Sequence, residues 1–136
     1  MSADKSKFLT DIYRQVLRSI HPENLFAKYL HLFEEQLYYK NSLIEHPQNG
    51  LVALAGSGKA SFSMAESLLP YLSRKPDISL LITPGQRHSS LFGTLRGNHP
   101  LPGPESMRAG KEMLELIDSL TEDDVLFYCL SGGFSS

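Results

Sequence analysis

At 136 residues and 41% hydrophobic content, the chain can bury the core of one domain of ordinary size. A formal charge of −2 with no run of lysine or arginine excludes counterion-driven nucleic-acid binding and attraction to an anionic membrane, which leaves small molecules as the expected ligands. One cysteine, Cys129, rules out an intrachain disulfide, and there is neither a leader-like start nor an apolar run of bilayer length, so a cytoplasmic location is expected.

Phe8, Leu9, Ile12, Val16, Leu17 and Ile20 recur at helical spacing, opposite Asp11, Arg14, Gln15 and Arg18, and predict an amphipathic helix over 8–20. His21-Pro22 ends it, because proline removes a donor and restricts its predecessor, yet proline suits the first turn of a new helix. That second helix has the stripe Leu25, Tyr29, Leu32, Phe33 and Leu37. The polar stretch from Asn41 to Gly50 reads as a loop, which closes an N-terminal helical pair over 1–45.

From 46 to 136 strand and helix alternate. LVALA (51–55) is followed by a helix over about 59–73, then ISLLIT (78–83), a long loop, a helix over 104–120 and VLFYCL (125–130). The three apolar runs lack polar alternation, as parallel strands covered on both faces do, and SLFGTLRG (90–97) can add a short strand. The expected fold is α/β, a Rossmann-like doubly wound parallel sheet. The chain stops at SGGFSS, before any helix returns over the last strand, so the region reads as truncated and lacking a second domain. An uncovered VLFYCL face then makes a homodimer the expected assembly.

Two glycine turns follow strands. Gly56-Ser57-Gly58-Lys59-Ala60-Ser61 fits neither a P-loop, which needs glycine at Ala53 and a hydroxyl residue at Ala60, nor a dinucleotide fingerprint, which needs glycine at Ser61 and an acid near Thr83-Pro84. What survives is general: glycines let backbone N–H groups approach an anion at a helix start, and Lys59 adds a charge that the helix dipole disfavours unless an anion answers it. A tight connection with a solvated lysine is the other reading. Ser131-Gly132-Gly133-Phe134-Ser135-Ser136 is the second turn. If the second and third strands flank the first, both turns open onto one crevice. In the third candidate, Asn98-His99-Pro100-Leu101-Pro102-Gly103-Pro104, His99 could donate to a substrate oxygen or serve the loop itself. Cys129 reads as core, and Glu122, Asp123 and Asp124 as a solvated turn without metal-site spacing.

Taken together, Gly58-Lys59-Ala60 with Met64-Ala65, His99-Pro100-Leu101-Pro102 and Ser131-Gly132-Gly133 resemble the glycerate 2-kinase family, whose longer members end in a MOFRL domain. The resemblance covers nearly all of this chain and only the front of the family's length. It implies ATP-dependent phosphorylation of glycerate, with magnesium, in a cleft completed by a second domain. Lys59 is then an active-site residue, and Gly56, Ser57, Gly58, His99, Ser131, Gly132, Gly133 and Ser135 bind substrate or nucleotide. Gly103 stands where the family has an acid, and Phe134 where it has a glycine. The alternatives are an NAD(P)-dependent hydroxypyruvate reductase and a nucleotide-binding module without chemistry. These 136 residues alone are expected to be inactive.

Overall fold

The computed structural model describes residues 2–44, 49–85 and 87–132. The amphipathic first segment forms α1 (Ser2–Ser19), and the chain breaks at His21-Pro22 as its chemistry requires. In α2 (Pro22–Tyr29) the proline is at the first position and the His21 imidazole accepts from the Glu23 amide. The second helix ends at Tyr29, short of the sequence expectation. Leu32, Phe33 and Leu37 lie instead in an antiparallel meander of β1 (Leu30–Phe33), β2 (Gln36–Tyr39) and β3 (Ser42–Ile44). Glu34 and Glu35 take positive φ (49° and 63°) in the first two-residue turn, as a hairpin of matching twist demands, and Lys40 does so in the second (54°). Leu37, fully buried, anchors the meander. β3 occupies part of the expected 41–50 loop, and residues 45–48 lie outside the described residues.

β4 (Val52–Ser57) is buried at all six positions. α3 (Ser61–Leu68) and a short 3₁₀ turn (Leu69–Tyr71) lead to β5 (Ile78–Thr83), then β6 (Gly93–Arg96), α4 (Pro104–Asp118) and β7 (Val125–Leu130). The expected helix over 59–73 is shorter at both ends. It starts after the glycine turn, and Pro70, which has no amide hydrogen, converts its last turn. The sheet order is β6-β5-β4-β7 with every pairing parallel, so β5 and β7 do flank β4.

Leu54, Leu81 and Cys129 meet Phe62, Ala65 and Leu68 of α3 on one face. By register the other face carries Ala53, Ala55, Ser57, Ile82 and Tyr128. α4, with Ala109 and Met113 buried, returns across this second face, as a right-handed crossover requires. Its start is near Ile82, for Gly97 lies between Ile82 Cγ2 and the Ser106 hydroxyl. Coverage on both faces, expected of all three apolar runs, holds for β4 alone; β7 is an edge strand among the described residues and leaves Tyr128 and Leu130 exposed.

Two carboxylates tie the amino ends of the strands. Asp124 accepts from the Leu51 amide (2.6 Å) and Asp77 from the Val52 amide (2.8 Å). Asp124 is therefore more than a solvated charge: the Leu51 and Thr121 amides hold its carboxyl below the ordinary carboxylate range.

Candidate active-site crevice

The first glycine turn has little freedom. A Cβ on Gly56 would come within 2.7 Å of the Cys129 carbonyl, so only glycine lets β4 and β7 approach this closely. Gly58 has φ +105°, and a Cβ there would run into Ser131. Its amide donates to the Ile82 carbonyl (3.2 Å), and its carbonyl accepts from the Ser61 amide (3.3 Å) and hydroxyl (2.9 Å). Ala60, at the cap position of α3, has no side chain with which to cap it. The cap comes from the other turn: the Ala60 amide donates to Ser131 Oγ (2.9 Å), and the Ser131 amide donates to the Ser57 carbonyl (3.1 Å). The buried Ser57 hydroxyl is 3.0 Å from that of Tyr128.

Over the carboxyl ends of the strands lies a crevice of about 250 Å³. Ser57, Gly58 and Lys59 form one wall, Ile82 to Pro84 the floor, and Asn98, His99 and Ser106 the opposite wall. That opposite wall is held by Asn98, whose side-chain carbonyl accepts from the amides of Glu105 (3.0 Å) and Ser106 (3.2 Å) and whose amide donates to Ser106 Oγ (2.7 Å). Asn98 Nδ2 also donates to Glu105 (2.8 Å), which lies 3.6 Å from Arg96. A Cβ at position 103 would meet Asn98 Oδ1 at 2.7 Å, which accounts physically for glycine at that position. The His99–Pro100 bond is cis. Lys59 is exposed and has no carboxylate partner among the described residues, and the described lining contains no aspartate or glutamate.

Of the residues singled out from sequence, Ser57, Gly58, Lys59 and His99 line this crevice together. Gly56 lies beneath it, packed on Cys129. Ser131 is joined to the first turn by its cap rather than lining the crevice, and Gly132 is exposed beside it. Gly133 and Ser135 lie outside the described residues. Asn98 and Ser106 are lining residues that the sequence reading did not select; the signal was an asparagine shortly before a proline-led helix, a residue type that caps helix starts. Burial pushes the Cys129 thiol up to about 11, in keeping with a core role.

A parallel sheet wound on both faces, with a crevice over the carboxyl ends of β4, β5 and β6, defines a doubly wound α/β domain of the class whose ligand sites lie beyond the carboxyl ends of the strands. The family model described as "Domain of unknown function (DUF4147)" matches residues 8–136, and the chain belongs to that family. It is 26% identical over 136 residues to glycerate 2-kinase of Picrophilus torridus, covering 98% of this chain and 30% of that protein. It is 30% identical over 128 residues to a protein of Agrobacterium vitis named as a hydroxypyruvate reductase, covering 90% and 27%. The crystal structure of glycerate kinase from Thermotoga maritima shares the fold, with a TM-score of 0.68 at 21% identity over 96% of this chain and 29% of that one. The chain thus spans under a third of the length of the relatives it matches. No helix among the described residues is long and apolar enough to cross a membrane.

Proposed function

We propose that this chain forms the amino-terminal wall of a glycerate 2-kinase cleft, and that its crevice receives the anionic groups engaged in phosphoryl transfer from ATP to glycerate. The observation that carries this reading is Lys59: exposed, unpaired among the described residues and set at a crevice whose described lining holds no acid. Phosphoryl transfer needs positive charge and backbone donors around the transferring oxygens more than it needs a covalent group. A cavity of about 250 Å³ suits phosphates or a three-carbon hydroxy acid. It falls below the roughly 300–1,000 Å³ of pockets that enclose drug-sized ligands, so a nucleoside would need walls beyond these residues. The described residues hold no cluster of three or more His, Cys, Asp or Glu that could bind a metal, and the lining does not fit magnesium; magnesium in this reading accompanies the nucleotide's own phosphates. The reading carries a cytoplasmic location, supported by a lone buried thiol.

A nicotinamide-dependent reductase is disfavoured because β5 ends in Thr83-Pro84, without the acid that holds the ribose, and the Thr83 hydroxyl is already donated to the Gly85 carbonyl. Calorimetric titration with ATP and with NADH tests the choice. Binding of ATP that competes with inorganic tripolyphosphate is expected; tight NADH binding with no response to ATP overturns the kinase reading. A coupled ADP-release assay with glycerate and magnesium is expected to show no turnover by residues 1–136 alone, because a one-sided crevice leaves the phosphates open to water.

A further inference from the structure

α1 presents an apolar face that no described part of the chain covers. The six residues that predict this helix, and Tyr13 with them, are between 42% and 66% exposed. At about 3.6 residues per turn these seven side chains fall within roughly half the circumference, a stripe wider than a coiled-coil seam. Lys7, Asp11, Arg14 and Arg18 occupy the other half. An exposed apolar surface of this extent marks an interaction site.

We propose that this face is the self-association surface of the protein, with α1 of one copy packed antiparallel on α1 of a second copy about a two-fold axis near residue 14. The stripe is self-complementary in that arrangement, since Phe8 comes opposite Ile20 and Ile12 opposite Val16, each contact occurring twice. Charge selects the direction. A parallel pair would set Lys5, which falls on the same side of the helix as the stripe, against Lys5 of the second copy, and would align the two helix dipoles. The antiparallel pair carries Lys5 to the far end of the partner helix, where Glu23 stands exposed; neither has an ion-pair partner among the described residues. Seven side chains exposed to this degree offer on the order of 600 Å² of apolar surface per copy, close to the roughly 800 Å² per partner of a standard interface. The outer side of β7, where sequence alone suggested association, offers only Tyr128 and Leu130.

Sedimentation equilibrium of the full 136-residue chain, from micromolar to submillimolar concentration, tests this. A dimer mass is expected. The double variant Ile12→Glu, Val16→Glu is expected to be monomeric with an unchanged far-UV spectrum, while Leu114→Glu, at a side chain of α4 that is 60% exposed, stays dimeric. Direction is read by oxidative crosslinking. Phe8→Cys and Ile20→Cys chains, mixed, are expected to crosslink with each other and not with themselves. A monomeric parent overturns the proposal, including one whose α1 is taken up by anionic vesicles instead. A double variant that remains dimeric, or self-crosslinked Phe8→Cys chains, overturns it as well.

Discussion

Two helices begin near the same crevice, and their starts are built in opposite ways. α4 has proline first, Glu105 in its opening turn, and the Asn98 side chain accepting from two of its amides within a local loop. α3 has no acid in its first turn, an alanine at its cap and a lysine just ahead of it, and it takes its one side-chain acceptor from Ser131, 71 residues away. A helix start finished by its own neighbourhood has its positive end neutralised and serves the fold. One left positive, with a cation added, is stable at a cost that an anionic ligand removes. The contrast separates the wall of the crevice that holds shape from the wall that offers charge.

The largest way to break this contrast is at Gly58. Gly58→Ala forces a side chain into positive φ and against Ser131, and is expected to cost about 2–3 kcal/mol, read as a drop in thermal midpoint. A midpoint equal to the parent's would mean the turn tolerates a Cβ. On the α4 side, Asn98→Ala removes the acceptor for two amides and should cost about 1–2 kcal/mol, whereas Asn98→Asp, which keeps an acceptor, should cost less. Equal losses for the two variants would argue against a capping role.

Lys59→Ala sharpens the comparison by giving α3 a neutral start. The variant should be as stable as the parent or more stable by up to about 1 kcal/mol. Its affinity for ATP or tripolyphosphate should fall tenfold or more, since hydrogen bonds to charged groups contribute about 1.5–3 kcal/mol. Unchanged affinity in calorimetry would return Lys59 to an ordinary surface lysine.

The smallest effect comes from acid, which acts at the opposite end of the sheet. The Asp124 carboxyl lies below its ordinary value of about 3.9 when folded, so its contribution is complete above that value and is lost as pH falls through the folded one. Melting followed from pH 5 to pH 2 should show a loss of stability that Asp124→Asn, already lacking the charge, shows to a lesser degree. Identical pH profiles would remove Asp124 from the account.

The parallel sheet was legible because Val52–Ser57, Ile78–Thr83 and Val125–Leu130 are apolar runs bounded by turn residues, and Gly93–Arg96 lies within a segment already suspected of being a strand. The meander was not. Leu25, Tyr29, Leu32, Phe33 and Leu37 satisfy a helical period, while the turns that override it use Glu34, Glu35 and Lys40 at positive φ, where a hairpin normally announces itself with glycine or asparagine. At the crevice, Ser57, Gly58, Lys59 and His99 were visible as residue types next to glycine and proline. The cap from Ser131 to Ala60 and the reach of Asn98 across its proline loop were invisible, because each depends on how distant backbone segments meet rather than on spacing along the chain.

That distant cap has a consequence for the order in which the protein is made. During synthesis β4, Gly58 and Lys59 leave the ribosome about seventy residues before Ser131 does, and the Leu51 amide waits as long for Asp124. The lysine turn therefore emerges complete in sequence but without its cap, and it acquires its final shape only when β7 docks along β4, among the most sequence-distant pairings in the sheet. A shorter fragment ending before Ser131 would keep every residue of the lysine turn and lose the contact that caps it.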